Sequence, residues 1–321
     1  MIIDRLGRQF KNLRVSLTSA CNYACTYCVP DGKKLQPLSH ELNGEELFHA
    51  VRLVVEGAGV NRLRITGGEP LLSKKFEEFL RGVMSLGLDD VGITTNGQLL
   101  PRYMPVIRET GLKRINISLD TLDASKFRSI ARSGDLATVQ KGIEMSLDAG
   151  MRVKINTVPV RSGNENQILP LLDYSLDRQI ELRYIELMNM GHLKYSNLYA
   201  QEYIGMKEIL SIIQEKYEIR PANAPVDSTS IRYEIPGRGF FGIIANESEP
   251  FCRTCSRLRI SSNGDLYGCL SNSSHYALRP LLALPLDLAL QKLQPILRNA
   301  MADKQSVAFT GETTVMKFIG G

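Results

Sequence analysis

Six short runs that read as β-strands, each followed by helical spacing, limit this chain more than any other feature of its sequence. They are LRVSL (13–17), RLRIT (62–66), VGITT (91–95), RINISLD (114–120), RVKINTV (152–158) and ELRYIEL (181–187). Each is short and mostly β-branched or aliphatic, as strands are. Between them, GEELFHAVRLVVEGAG (44–59) and KKFEEFLRGVMSLG (74–87) repeat apolar residues at helical intervals. Strands joined by helices form a parallel sheet with crossovers. Six units, rather than eight, predict a partial barrel as readily as an open sheet. The chemically distinctive residues gather after the strands: three cysteines after the first, GGEP after the second and Asn96-Gly97 after the third. Barrels and open α/β sheets place ligands at that end.

The pattern changes after about residue 200. A helix, YIGMKEILSIIQEKY, precedes PANAPVDSTS, which reads as a linker or surface loop. IRYEI, FFGIIA and LRISS–NGD–LYGCL then read as hairpin strands, the last pair turning at Asn263-Gly264. A helix near 286–300 follows, and the chain ends in Gly320-Gly321. The division is therefore 1–221 and 222–321, the second an α+β segment. There is no internal repeat.

The 321 residues allow one large α/β domain or two modest ones. The net charge of +5 comes without a basic run, which argues against a nucleic-acid binder and suits a small anionic substrate. No apolar run is long enough to span a bilayer, and MIIDRLGRQF is not a secretory signal, so the expected location is cytoplasmic.

The six cysteines fall into two triplets, Cys21, Cys25, Cys28 and Cys252, Cys255, Cys269. Disulfides would leave an odd thiol in each triplet, and clustered thiols in a reducing compartment more often hold metal. A zinc site needs a fourth ligand. The nearest histidines are His40 and His49, the latter on a helical face. A [4Fe–4S] cluster normally takes four thiolates, so three would leave one iron open to a ligand from outside the protein.

C-x-x-x-C-x-x-C after the first strand, with Gly67-Gly68-Glu69-Pro70 after the second, resembles the radical S-adenosylmethionine (SAM) superfamily. The resemblance implies that the open iron chelates SAM, whose reductive cleavage gives a 5′-deoxyadenosyl radical that takes hydrogen from a substrate. It assigns Cys21, Cys25 and Cys28 to the cluster, and Tyr27, Gly68, Ser118 and Met188 to SAM. Taken alone, Met188 would be core packing and GGEP a strand–helix turn. The second triplet, with SRLR between its cysteines, and the Gly-Gly end resemble the GTP 3′,8-cyclase family of molybdenum cofactor biosynthesis.

That family implies a partial (βα)6 TIM-like barrel whose mouth is closed by a C-terminal α+β segment. A second [4Fe–4S] cluster on Cys252, Cys255 and Cys269 would face the guanine of GTP. GTP contacts are expected from Arg14, Arg64, Thr95, Lys154, Arg257, Leu258 and Arg259, with Arg183 a weaker candidate. Arg257 and Arg259 are expected to act in catalysis, and Gly320 and Gly321 to assist radical initiation. The implied partners are an electron donor, a downstream cyclic pyranopterin monophosphate synthase and a second copy of the chain. The chain departs from the pattern at Ser19, Ser256 and Thr314, none of which is a cluster ligand. Two alternatives stand beside this reading: a peptide-modifying radical SAM maturase and an iron–sulfur electron carrier or sensor.

Overall fold

The structure, a computed structural model, describes residues 2–29, 31–194, 196–308 and 319. The expected alternation is present: β1 (Asn12–Ser16), α1 (Gly44–Ala58), β2 (Arg62–Thr66), α2 (Phe76–Met84), β3 (Asp90–Thr95), α3 (Leu100–Glu109) and β4 (Arg114–Ser118). It continues through α4 (Ala124–Ala131), α5 (Leu136–Asp148), β5 (Arg152–Thr157), α6 (Arg161–Asn164), α7 (Ile168–Asp177), β6 (Glu181–Ile185), α8 (Leu198–Glu202) and α9 (Met206–Gln214). The remainder is β7 (Arg220–Ala222), β8 (Ile231–Ile235), β9 (Gly239–Ile244), β10 (Arg257–Ile260), β11 (Asp265–Tyr267), β12 (Tyr276–Ala277) and α10 (Leu286–Ala302).

Among the described residues, all twelve strands join one sheet in the order β12-β11-β10-β1-β2-β3-β4-β5-β6-β9-β8-β7. The strands from β1 to β6 pair in parallel. The C-terminal segment extends both edges: β10 lies parallel to β1, and β9 parallel to β6. Antiparallel pairings finish the edges, β10–β11–β12 on one side and β9–β8–β7 on the other, and the β10–β11 hairpin turns at Asn263-Gly264 as expected. The region read as a linker begins with the short strand β7.

Period-two alternation gives the parallel strands two different faces. Leu13, Val15, Leu63, Ile65, Ile93, Ile115, Ile117, Ile155, Leu182 and Tyr184 are fully buried in the core. Each such side chain contributes about 1.5–3 kcal/mol by leaving water. The alternate positions carry Arg14, Arg64, Asn116, Lys154, Asn156 and Arg183, which form the polar inner face of the partial barrel. A parallel sheet with one polar face must offer that face to something other than core.

Candidate functional site

The loop that follows β1 is held by the turn that follows β2. The Leu17 amide donates to Thr66 O (2.9 Å), the Gly68 amide to Thr18 O (2.8 Å) and the Glu69 amide to Ala20 O (2.8 Å). The two backbones run so close that a Cβ on Gly68 would sit 2.3 Å from Ala20 O. Gly68 is thus needed for the approach of the cysteine loop itself. Glu69 is fully buried and accepts from Thr95 Oγ1 (2.7 Å), the Asn96 amide (2.7 Å) and the Leu71 amide (3.0 Å). Burial outweighs these donors and pushes its acid up to about 7.

The cysteine loop is also tied to α4 and β4. The Ala24 and Thr26 amides donate to Ala131 O and Ile130 O, both at 3.1 Å. Tyr27 Oη donates to Asp120 Oδ2 at 2.8 Å. Asp120 is buried, accepts the Val158 amide at 2.9 Å, and has its acid raised by that burial. Cys21, Cys25 and Cys28 lie on this loop, none of them in a disulfide. Burial first, then neighbouring negative groups, pushes Cys21 up to about 12 and raises Cys25.

These thiols open into a cavity of about 270 Å³ with Tyr27, Gly68, Thr95, Ser118, Asn116, Asn156, Arg14 and Arg183 on its walls. The side-chain oxygens of Asn116 and Asn156 are buried there with no hydrogen-bond partner among the described residues. Arg64 and Lys154 stand on the same sheet face but are already paired. Arg64 and Arg114 bind Asp90, and Lys154, Arg183 and Arg232 bind Glu181. Arg14 differs. Its side chain is half-buried, and among the described residues it has neither carboxylate nor hydrogen-bond partner. Burial and the cations Arg259, Arg257 and Arg64 hold its pKa well below the ordinary arginine value. An anion beside Arg14 would offset this cost.

β10 lies parallel on β1, with Arg257 opposite Asn12 and Arg259 opposite Arg14, so Arg259 is level with Arg14 while the second triplet stands at the opposite end of the strands from the first. Arg257 Nη1 approaches Cys255 Sγ at 3.6 Å, and Lys304 Nζ approaches it at 3.3 Å. Burial alone would raise the Cys255 thiol, but these cations bring it down to about 6. Cys252, less favoured by cations, is pushed up to about 11 by burial and the two neighbouring cysteines. Leu258, between the arginines, is fully buried in the core and paired to Leu13 of β1. Ser256 donates to Asp227 Oδ2 at 3.1 Å, and Asp227 also accepts from Asn12 and Arg62.

A family model for the radical SAM superfamily matches residues 15–174, and one for Molybdenum Cofactor Synthesis C matches residues 180–309. The GTP 3′,8-cyclase of Campylobacter fetus is 39% identical over 95% of this chain and 92% of its own length. That of Synechocystis is 34% identical over 92% of this chain and 91% of its own length. The chain belongs to the GTP 3′,8-cyclase family. Molybdenum cofactor biosynthesis protein moc-5 of Caenorhabditis elegans is 39% identical over 86% of this chain, which spans only 46% of that longer relative. Among solved structures, Streptococcus suis SuiB bound to S-adenosylmethionine shares the fold, with a TM-score of 0.64 over 91% of this chain and 68% of its own at 16% identity.

As a radical SAM family member, the chain uses S-adenosylmethionine and an iron–sulfur cluster. The residues present fit them. Each triplet offers three cysteine thiols, none in a disulfide, which is the donor type iron–sulfur clusters take. The unpartnered oxygens of Asn116 and Asn156 face a ligand-sized cavity beside the first triplet.

The structure brings the first triplet, Tyr27, Gly68, Thr95, Ser118 and Arg14 to one cavity. Met188, half-buried after β6, is not among its lining residues, and neither are Arg64, Lys154, Arg257 and Arg259. Thr314, Gly320 and Gly321 lie outside the described residues. Sequence reasoning missed Asn116, Asn156, Asp120, Asp90 and Glu181. The signal was present for two of them: Arg114, Asn116 and Ser118, like Arg152, Lys154 and Asn156, are polar at every second position. Among the described residues no helix is long and apolar enough to cross a membrane.

Proposed function

We propose that this chain is a GTP 3′,8-cyclase, joining ribose C3′ of GTP to guanine C8 to give the 3′,8-cyclised dihydro-GTP that begins molybdenum cofactor synthesis. The relatives named for that activity and the C-terminal family support the reading. The observation that carries it is the β10–β1 pairing, which sets the second triplet with Arg257 and Arg259 beside Arg14.

Cys21, Cys25 and Cys28 would hold one [4Fe–4S] cluster and Cys252, Cys255 and Cys269 a second. Tyr27, Gly68, Ser118 and Met188 would contact SAM. When bound, the first cluster and SAM supply a radical able to abstract the C3′ hydrogen. The chain's own residues bind and orient the substrate. Arg14, Arg64, Lys154, Arg257 and Arg259 meet the triphosphate and developing charge. Thr95, whose hydroxyl donates to Glu69, presents the rest of its surface to the cavity. The second cluster would hold the base, with Leu258 beside it on the strand between the two arginines. On resemblance alone, Gly320 and Gly321 assist initiation. Residues 1–221 form the radical core and 222–321 the substrate segment, in a cytoplasmic homodimer that takes electrons from a donor protein and passes its product to cyclic pyranopterin monophosphate synthase.

Replacing Cys252 with Ser tests the substrate half of this reading. The expected result is loss of about half the bound iron, since each cluster holds four irons, together with loss of cyclisation while SAM binding survives. Full iron content and full cyclisation in the variant would refute it.

A further inference from the structure

The two arms of the second triplet are joined by one buried ammonium. Lys304 follows α10 and is 7% exposed. Its Nζ donates to Arg257 O at 2.8 Å, Gly268 O at 3.0 Å and Cys255 Sγ at 3.3 Å. Three acceptors use all three of its protons. Arg257 belongs to the arm that carries Cys255, and Gly268 directly precedes Cys269, so the ammonium spans both arms.

The end of α10 is fixed against the same place. A Cβ on Gly268 would fall 1.7 Å from Ala300 O, so the helix end and the Cys269 arm touch backbone to backbone. Asp303 accepts Tyr276 Oη at 2.7 Å, and Asn272 Nδ2 donates to Asp303 O at 3.2 Å. The third arm is held from the N-terminal side, where Arg8 Nη1 donates to both Cys252 O (2.8 Å) and Gln305 O (2.6 Å). Lys304 is therefore set by packing on both sides.

We propose that Lys304 is a positioning residue for the second iron–sulfur centre: it clasps the Cys255 and Cys269 arms and places a fixed positive charge on the Cys255 sulfur. This rests on the proposed second cluster at Cys252, Cys255 and Cys269. Hydrogen bonds and positive charge at cluster sulfurs raise the reduction potential, and groups that orient metal ligands commonly govern metal retention. Lys304 thus makes the second centre easier to reduce and slower to lose its iron.

The test uses anaerobically reconstituted full-length protein: wild type, Lys304→Met and Lys304→Arg. Iron content, iron loss to a chelator and an EPR-monitored redox titration are compared. The second centre is isolated by repeating the titration with Cys21, Cys25 and Cys28 changed to Ser. Lys304→Met should shift the second centre to lower potential and release its iron about 10-fold faster, while Lys304→Arg stays near wild type in both. If Lys304→Met does not fold, Lys304→Gln, which keeps donors without the charge, should show the same negative shift. An unchanged potential in the uncharged variant overturns the proposal. Wild-type protein with only the first centre's iron, unaffected by Cys252→Ser, would instead bring down the two-cluster reading, and the inference with it.

Discussion

Arg14 and Glu69 show how the site holds charges that the bare fold does not favour. Arg14 sits among Arg64, Arg257 and Arg259 without a carboxylate of its own, so its charge opposes folding until an anion arrives. Arg14→Met should leave the melting temperature of ligand-free protein unchanged or raised. It should weaken GTP binding by about 1.5–3 kcal/mol, the range for hydrogen bonds to charged groups. Calorimetric binding and thermal unfolding check both halves; lower stability with unchanged affinity would contradict the assignment. Glu69 carries the opposite problem. Its acid stands at about 7 against an ordinary 4.5 because the carboxylate is buried. An acid raised by folding stabilises the fold below its unfolded pKa and loses that contribution as pH rises through the folded value. In cluster-free protein, stability should therefore fall between pH of about 4.5 and 7 relative to Glu69→Gln, by on the order of 3 kcal/mol. Urea unfolding of both proteins across that range would show converging or crossing curves; parallel ones would count against it.

At the level of elements, the cysteine loop and the GGEP turn behave as one unit, zipped by the Gly68 and Glu69 amides. Gly68→Ala forces a methyl into the Ala20 carbonyl, backbone against backbone, which a side-chain rotation cannot relieve. The variant should fold with its second triplet intact yet fail to retain the first cluster, losing about half its iron. Iron analysis after gel filtration decides it, and full retention would refute the clamp. Much of this layer was legible. The six strands and their helices followed from periodicity, and the hairpins from turn residues such as Asn263-Gly264. The short strand β7 was not, because three residues of RPA carry no alternation to read. Nor was the pairing of Arg64 with Asp90 or Lys154 with Glu181, since partners on different strands depend on register. Lys304 escaped for a similar reason: only the fold brings it to the Cys255 sulfur, 49 residues away in sequence.

Across the whole molecule, the sheet sets two distant stretches of chain at the two ends of neighbouring parallel strands. The first triplet follows β1, and the second precedes β10 and follows β11, with β10 paired to β1. A radical core of β1–β6 alone would have one cysteine loop and two open edges. The C-terminal segment covers the β6 edge with β9 and the β1 edge with β10, which carries two arginines. The Campylobacter fetus and Synechocystis relatives aligned over both halves are named GTP 3′,8-cyclases. The most direct test is anaerobic: reconstitute the protein with iron and sulfide, supply SAM and a reductant, and measure 5′-deoxyadenosine with and without GTP. Deoxyadenosine rising sharply with GTP, alongside a cyclised product convertible to a fluorescent pterin, is the expected result. SAM cleavage that is indifferent to GTP, with no cyclised product, would contradict the account at its centre.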